Sequence, residues 1–385
     1  MRPSKRAKAV AESETLRLSA ELARLRRGGL DVISFLEGEP DLPVAEPVRR
    51  AVARAVLSGD TRYCSASGLP ELKTLIARKL RTENGVPARE ENILIANGAK
   101  QALYDALQAL CGPGDEVIII RPYWVTYPEA VKLAGAKPVF ISTRGHQLDP
   151  AAVAGAITRK TKALILNTPN NPTGAVYPEE TLKEVVKLAA RHDFHVISDE
   201  AYEHLIYDDL RHVSVGALGR AAAKRVITIQ TFSKSFSMTG FRVGYLAADA
   251  EIVRAAAKIH GHVTGNVCTF AQRGAVAACR LPPGYMASRR ASFQRRRDLA
   301  YGLATRVFNC VKPRGALFVF ADARKHLSKR ATTSSALAAR LLREARVAAV
   351  PGSACGMEGW LRFSFSASEK DIADGFARIE TALCR

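Results

Sequence analysis

The chain lacks the features that mark membrane and secreted proteins. No apolar run among its 385 residues approaches the roughly 20 residues that a membrane-spanning helix requires, so we expect no membrane partner. The basic residues 1–6 are not followed by an apolar signal core, so the sequence predicts no secretory signal and a cytoplasmic location. It also contains no internal repeat and no low-complexity linker.

Cysteine is sparse and has no motif spacing. There is no Cys-x-x-Cys pair and no flanking histidine at zinc spacing. This pattern predicts free thiols in a reducing cytoplasm and no metal site. The seven cysteines lie at positions 64, 111, 268, 279, 310, 355 and 384.

Acidic residues are outnumbered, with 37 Asp and Glu against 57 Lys and Arg, which gives a net charge of +20. A charge of this size is typical of proteins that bind nucleic acid or anionic surfaces. The basic residues are nevertheless dispersed in short groups such as residues 295–297, with no long block and no interleaved aromatic stripe. We therefore expect no nucleic-acid partner and attribute the charge to an arginine-rich genome, although it would still attract anionic substrates and cofactor.

The length and composition indicate a globular protein with more than one domain. A chain of 385 residues, 47% hydrophobic and 24% charged, is long enough for two domains. Apolar, β-branched runs alternate with helical patterns through its middle. This alternation predicts an α/β fold with a mostly parallel central sheet covered by helices. The predicted strands are residues 93–96, 117–120, 163–166, 195–198, 225–230 and 243–247.

The end of the chain has a different pattern. A long helical stretch, residues 283–307, leads out of the predicted sheet. Short strands at residues 317–320, 347–350 and 361–365 and a final helix follow it. They predict a smaller α+β domain. We predict a large cofactor-binding domain of residues 48–290 and a small domain formed by residues 1–47 and 291–385.

The segment that contains Lys234 carries the strongest chemical signal. Lys234 stands between Ser233 and another serine, and Arg242 follows eight positions later. A lysine amine can form a Schiff base with an aldehyde cofactor, and an arginine offers a planar fork of donors to a phosphate. Ser233 would complete the phosphate site. The segment therefore suits a cofactor that carries both an aldehyde and a phosphate.

Three polar residues precede this segment and extend the same interpretation. Asp199 follows an apolar strand, where a carboxylate requires a cationic partner such as the protonated pyridine nitrogen of pyridoxal phosphate. Alternatively, it caps the following helix. Tyr202 would share a helical face with Asp199, and its hydroxyl, like the Asn171 amide, would donate to the phenolate oxygen of the cofactor. The run around Asn171 fits an ordinary turn equally well. Because Asn171, Asp199 and Lys234 each follow a predicted strand, one sheet edge would gather them.

Other positions would complete the site, and each has a plainer alternative. Gly98, Ala99 and Lys100 open a helix whose free N–H groups would bind the phosphate, although many helices begin with glycine. Trp124 would stack on the cofactor ring, although most tryptophans are core residues. Arg362 lies between apolar strand residues, where a substrate α-carboxylate would pair with it. The alternative is an edge-strand arginine that faces water.

Taken together, these motifs resemble the class I aminotransferases of fold type I, and most closely the bacterial aspartate/prephenate aminotransferase subgroup. The resemblance runs from Gly38 to the last helix and rests on residues 169–178, 198–202 and 233–242. It implies a pyridoxal-phosphate-dependent aminotransferase with a ping-pong mechanism. Its substrates would be an L-amino acid, with aspartate and glutamate among the candidates, and a 2-oxo acid.

The resemblance also implies roles for individual residues. Tyr63 is similar to a tyrosine that reaches the phosphate of the neighbouring subunit, which implies a homodimer with shared active sites. Gly38 resembles a glycine whose backbone lies beside the substrate. Lys100 matches a lysine that binds the distal carboxylate of dicarboxylic substrates, and Trp124 and Asn171 would also contact the substrate.

The chain departs from the family pattern at several positions. Cys355 stands where relatives usually carry Phe, and this change would reshape the side-chain pocket. Residues 17–19 stand where relatives often have a Ser/Thr pair, and Arg121 replaces a smaller residue. These departures would also suit a lyase or an amino-acid oxidase or hydroxylase on the same fold. A further alternative is an aminotransferase-like regulator, but the segment before Pro47 is shorter than the usual independent DNA-binding domain.

Overall fold

The computed structural model describes residues 3–12, 14–329 and 331–383. Within these residues the chain forms sheets of seven, four and two strands. The strands are β1 (Ile33–Ser34), β2 (Ile93–Ala96), β3 (Glu116–Arg121), β4 (Lys137–Ser142), β5 (Thr161–Asn167), β6 (His195–Asp199), β7 (Val226–Thr231), β8 (Gly244–Ala247), β9 (Asn309–Cys310), β10 (Phe318–Asp322), β11 (Val347–Ala348), β12 (Val350–Pro351) and β13 (Trp360–Ser364).

Helices cover the sheets, and several begin at a side chain that accepts a hydrogen bond from a helix N–H group. Asp149, Asp249 and Thr333 do so for the helices at residues 150–156, 250–263 and 334–340, respectively. The α-helices are α1 (Lys5–Ala9), α2 (Glu14–Arg27), α3 (Glu46–Leu57), α4 (Pro70–Thr82), α5 (Gly98–Leu110), α6 (Thr126–Leu133), α7 (Pro150–Ala156), α8 (Glu179–His192), α9 (Arg220–Arg225), α10 (Phe232–Ser235), α11 (Ala250–Val263), α12 (Thr269–Ala278), α13 (Pro283–Val307), α14 (Ser334–Arg340) and α15 (Glu369–Leu383).

The seven-stranded sheet is the predicted central sheet. Its order is β2-β8-β7-β6-β5-β3-β4, and all neighbours are parallel except β8, which runs antiparallel to β2 and β7. The inner strands are buried on both faces, which explains their continuous apolar runs. The predicted fold class is confirmed. The predicted strand set omits β4, an edge strand that contains Pro138, a residue that edge strands tolerate.

A four-stranded antiparallel sheet in the order β12-β13-β10-β9 follows α13 in the chain. The prediction of one strand over residues 347–350 was wrong, because the chain changes sheets at Ala349. Before that residue β11 pairs in parallel with β1, and after it β12 pairs with β13. Strand β13 therefore lies inside this sheet, between β12 and β10.

Three parallel strands of the central sheet end side by side. Asn167 at the end of β5 is in register with Asp199 at the end of β6, and Thr231 ends the neighbouring β7. Lys234 follows three residues after Thr231, within α10. Because parallel strands place their carboxyl ends at one edge, the sheet gathers these positions as predicted.

Three further observations concern the features that the sequence lacks. Among the helices of the described residues, none combines the length and the apolar character needed to cross a membrane. Six cysteines are free thiols, and the seventh, Cys384, lies outside the described residues. In the same part of the chain, no three His, Cys, Asp or Glu side chains are grouped as metal ligands.

Candidate active site

A cavity of about 360 Å³ lies at the carboxyl ends of the central strands. It brings together residues from both ends of the chain, and most of the sequence-predicted residues line it. Those that do are Gly38, Ala99, Lys100, Trp124, Asn171, Asp199, Tyr202, Ser233, Lys234, Arg242 and Arg362. The other two lie elsewhere: Gly98 packs against the Arg242 guanidinium behind the cavity wall, and the Tyr63 side chain is 94% exposed.

Lys234 reaches the cavity from the short helix α10. The helix starts at Thr231, whose hydroxyl oxygen accepts a hydrogen bond from the Ser233 N–H at 3.2 Å. The Lys234 Nζ donates to the carbonyl oxygen of Gly38 at 2.9 Å. Burial lowers the pKa of Lys234 to about 8. A substantial fraction of the amine is therefore neutral under mildly alkaline conditions, as a nucleophile or base requires.

Asp199, the last residue of β6, places a carboxylate at the cavity floor with only 4% of its surface exposed. It accepts hydrogen bonds from the Tyr127 hydroxyl at 2.8 Å and from the Ala201 N–H at 3.1 Å. Burial raises its pKa to about 6 in spite of these bonds. The expected helix after Asp199 is absent, because the carboxylate and Ala201 close a tight turn; Tyr202 enters the cavity from that turn.

Arg362 on β13 is also buried, with 4% of its surface exposed, so the water-facing alternative was wrong. It donates to the Asn171 Oδ1 at 3.1 Å and to the carbonyl oxygen of Leu36 at 2.5 Å. Its guanidinium carbon lies 4.4 Å from the centre of the Phe318 ring. Burial lowers its pKa. No described carboxylate forms an ion pair with it, so the cavity wall presents a buried cation.

Tyr202 and Asn171 lie between these charged groups. Burial raises the pKa of the Tyr202 hydroxyl above its ordinary value, and the Arg362 charge and a hydrogen bond from Asn171 oppose this rise. The hydroxyl therefore remains protonated at physiological pH. Its ring packs edge to face against Phe318, with the centroids 5.9 Å apart.

One corner of the cavity is shaped for an anion. Helix α5 begins at Gly98 without a side-chain cap, so its first N–H groups are not covered by a capping side chain. Arg242 lies beside it and donates to the carbonyl oxygens of Thr239 at 2.8 Å and Asn97 at 3.1 Å. A Cβ at Gly98 would lie 2.6 Å from the Arg242 Nη2, and the Gly98 φ of +78° also favours glycine.

Lys100 and Trp124 form a wall near this corner. The Lys100 Nζ lies 5.2 Å from the centre of the Trp124 ring, within range of a cation–π interaction. Burial lowers the pKa of Lys100, and the neighbouring Arg242 lowers it further. Trp124 in turn packs edge to face against Tyr127, with the centroids 5.5 Å apart.

Gly38 fills a position where any side chain would clash. A Cβ there would lie 2.6 Å from the Phe318 Cζ and 3.6 Å from the Tyr202 hydroxyl oxygen. Its backbone can therefore lie beside both Tyr202 and Lys234 only because it is glycine. The expectation that the Gly38 backbone lies beside the substrate stays a prediction.

Sequence reasoning missed two residues that support the site. Tyr127 donates to Asp199, but it lies in a helix of ordinary composition and no motif marks it. The Asn167 side chain donates to the Asp199 carbonyl oxygen at 2.9 Å and accepts from the Asn171 N–H at 2.7 Å. Asn167 directly follows a predicted strand, as Asp199 does, and this position was the sequence signal that could have identified it.

The departures from the family pattern lie at different distances from the cavity. Cys355 is fully buried and is not among the described residues that line it; its carbonyl oxygen accepts from the Tyr123 N–H at 3.1 Å. Arg121 stacks over the Phe140 ring at 4.3 Å and is likewise outside the lining. Ser19, by contrast, lines the cavity from helix α2 and donates to Glu37 at 3.2 Å.

Comparisons with known proteins place this geometry in context. The sequence profile of the family described as aminotransferase class I and II matches residues 31–379. A probable aspartate/prephenate aminotransferase of Aquifex aeolicus is 39% identical, over 96% of this chain and 96% of its own. The aspartate/prephenate aminotransferase of Thermus thermophilus is 39% identical over 99% of each chain. The structure of Thermus thermophilus aspartate aminotransferase with maleate matches with a TM-score of 0.94 and 38% identity, over 100% of each chain.

Proposed function

This chain belongs to the class I and II aminotransferase family and is a pyridoxal-phosphate-dependent transaminase, and we propose that the cavity around Lys234 is its active site. One observation carries this proposal. The cavity holds a lysine of lowered pKa together with a buried carboxylate, Asp199, and a buried guanidinium, Arg362, neither of which forms an ion pair with a described residue. Both unpaired charges call for partners from bound molecules.

The residues present fit pyridoxal phosphate. Asp199 would pair with the protonated pyridine nitrogen, which would remove the energetic penalty of its buried charge. Asn171 and Tyr202, both beside the cavity, would donate to the phenolate oxygen. Trp124 would face the ring, and Lys234 would hold the carbonyl carbon.

The anion corner fits the phosphate group of the same cofactor. Arg242 would supply a charged donor, and the start of α5 at Gly98 and Ala99 would supply backbone N–H groups. Ser233 lines the same cavity and would add a hydroxyl. The Lys100 N–H, in the same first turn, is the remaining predicted donor.

When bound, pyridoxal phosphate supplies an electron sink for the bond that is broken at the substrate Cα. The protein directs this chemistry. Arg362 binds the α-carboxylate and thereby sets the direction of the Cα–H bond. Lys234 would take the proton that leaves the substrate Cα and would later donate it as a general acid, a role that its lowered pKa supports. Asp199 would hold the pyridine nitrogen in its protonated form.

Arg362→Lys is expected to lower kcat/KM for amino acids by about 10²-fold, because lysine keeps the charge but loses the two-pronged donation to a carboxylate. The visible absorbance of the bound cofactor should remain unchanged, since Arg362 holds the substrate and not the cofactor. Steady-state kinetics and the spectrum of the variant check both parts. An unchanged kcat/KM would remove Arg362 from the substrate site.

We also propose a dicarboxylic substrate, with Lys100 as the ligand of the distal carboxylate. The cation stands over Trp124 at the cavity wall and forms no ion pair with a described carboxylate. The relatives named above are aspartate aminotransferases or aspartate/prephenate aminotransferases, which favours aspartate as the amino donor.

Lys100→Met is expected to lower kcat/KM for L-aspartate by roughly 10- to 100-fold, which is the loss of a charge-assisted hydrogen bond. Methionine keeps most of the side-chain length and the apolar contact with Trp124. L-Alanine, which has no distal carboxylate, serves as the control substrate and should lose less than about 3-fold. Equal losses for the two amino acids would contradict the assignment.

We propose a cytoplasmic homodimer in which Tyr63 enters the partner's active site. Tyr63 is 94% exposed in the single chain, and it is not among the residues that line the cavity of its own subunit. Sedimentation at twice the chain mass is expected. Tyr63→Phe should weaken cofactor retention about 10-fold without changing the mass, since one phosphate hydrogen bond is lost; a monomeric wild-type protein would contradict the proposal.

The division into a large domain, residues 48–290, and a small domain, residues 1–47 with 291–385, is part of the same proposal. The long helix α13 passes through the boundary at residue 290 and connects the two sheets. An apolar core formed mainly by small-domain residues, among them Phe35, Phe318 and Phe376, supports the division, and Leu205 and Tyr207 of the large domain also belong to it.

A further inference from the structure

A second cavity, also of about 360 Å³, lies next to the candidate active site. Residues 231–236 form the wall between the two. Ser233 and Lys234 line the active-site cavity, Phe232 and Phe236 line the second cavity, and Thr231 lines both. The volume is within the range of sites that bind small molecules.

Most of the wall of the second cavity is apolar and aromatic. The residues that contribute to it are Ile76 from α4, Phe232 from α10, Phe236 directly after that helix, and Tyr285 and Met286 from the first turn of α13. The rings of Phe236 and Tyr285 are nearly parallel, with an interplanar angle of 15°. Such a wall favours a flat apolar ligand.

The polar end of the second cavity is negatively charged, although the chain as a whole carries +20. Lys79 is paired with the Glu203 carboxylate and also donates to the Gln230 Oε1 at 2.7 Å, so its charge is already neutralised. Glu83 remains, with its side chain 58% exposed; the His204 Nε2 lies 3.7 Å from its carboxylate and neutralises it only when the imidazole is protonated. A ligand group that is positively charged would find its partner there.

Tyr285 provides an independent sign of a missing partner. Its hydroxyl oxygen is buried, yet it has no hydrogen-bond partner among the described residues. The guanidinium of Arg289 occupies the space over its ring, 5.1 Å from the centre, and contributes no hydrogen bond to the hydroxyl. Buried polar groups without a partner are rare in native proteins, and a bound ligand is one way to satisfy them.

We propose that the second cavity binds a small aromatic cation, with its ring between the apolar residues and its charged group toward Glu83. This site is separate from the proposed transaminase function. It lies beside the catalytic segment, because His204 on its wall shares a hydrogen bond of 3.0 Å with Ser235, the residue after Lys234.

Calorimetric titration of the cofactor-loaded protein with benzamidine, a flat aromatic cation, tests the proposal. Saturable binding with a Kd on the order of 1 mM is expected for a ligand of this size. Benzamide has the same shape without the charge and should bind about 3- to 10-fold more weakly. Absence of saturable benzamidine binding up to about 20 mM would overturn the proposal.

Two variants locate the binding. Glu83→Gln should weaken benzamidine binding about 3- to 5-fold and leave benzamide unchanged; the control Glu91→Gln removes a carboxylate that is also 58% exposed and should change neither. Met286→Trp should fill the cavity and abolish binding of both compounds while transamination continues. Benzamidine binding that is unaffected by Glu83→Gln and Met286→Trp would place the compound elsewhere and refute the site. Because transamination is assayed separately, its loss would bear on the proposed function and not on this site.

Discussion

Lys234→Ala is expected to lower the multiple-turnover rate of transamination by at least about 10⁴-fold, because the variant loses both the covalent anchor and the proton carrier at the Cα. The Lys234 Nζ lies within the cavity and donates a hydrogen bond to the Gly38 carbonyl oxygen at 2.9 Å. Lys100 is the other described lysine that lines the cavity, and it lies over Trp124 instead. Steady-state assays with L-aspartate and a 2-oxo acid measure the loss, and circular dichroism checks that the fold is retained.

Lys73→Ala provides a matched control for this experiment. Burial lowers the pKa of Lys73 as it does that of Lys234, but Lys73 lies on α4 outside the cavity and donates to the Ser67 hydroxyl at 3.3 Å. It should retain nearly full activity. Turnover by Lys234→Ala within about 10-fold of the wild type would refute the catalytic assignment.

Asp199→Asn is expected to lower kcat by about 10²- to 10³-fold, the loss that follows removal of one preorganised electrostatic partner. An amide cannot hold the pyridine nitrogen in its protonated form. The same substitution should stabilise the cofactor-free protein at pH 8, since it removes a carboxylate that is charged and buried with no ion-pair partner among the described residues.

The pH dependence of this stabilisation has a defined sign. The folded-state pKa of Asp199 is about 6, above the ordinary value of 3.8, so the folded protein favours the protonated carboxyl. The buried carboxylate therefore reduces stability progressively as the pH rises from about 4 to 6, and fully above that range, by roughly 1–3 kcal/mol. Asp199→Asn should remove this dependence in the cofactor-free form, as denaturant unfolding at pH 5 and pH 8 would show.

Glu203→Gln is the control of opposite sign. Although burial acts to raise the pKa of Glu203, the neighbouring Lys79 and histidines lower it to about 2. Its charged form therefore stabilises the fold at any pH above the ordinary carboxyl range, and Glu203→Gln should destabilise the protein at pH 8. If Asp199→Asn also destabilised the cofactor-free protein at pH 8, the description of Asp199 as a buried carboxylate without a counter-ion would be wrong.

The sequence predicted the parts of this site that depend on local pattern. Asp199 and Lys234 follow apolar strands, and a parallel sheet places such positions at one edge whatever the rest of the chain does. Arg362 could be identified as a candidate because a cation within an apolar strand is rare. Whether its side chain faced water depended on whether β13 lies inside a sheet, and the sequence did not show this.

Contacts between distant segments were beyond the reach of local pattern. Lys234 binds the carbonyl oxygen of Gly38, 196 positions away, and Arg362 binds that of Leu36. A backbone carbonyl has no sequence signature, so neither contact was predictable. The prediction of a helix after Asp199 was wrong for a local reason. The Asp199 carboxylate accepts a hydrogen bond from the Ala201 N–H and closes a turn instead.

The central claim is transamination at this cavity, and a single half-reaction tests it most directly. The purified, cofactor-loaded protein is mixed with L-aspartate without any 2-oxo acid, and oxaloacetate, ammonia and oxygen are measured. The account predicts one equivalent of oxaloacetate per chain and then no further product, with the amino nitrogen retained on the protein and no ammonia or oxygen change. Continuous release of ammonia, or continuous uptake of oxygen, would contradict it and identify a lyase or an oxidase that uses the same cofactor.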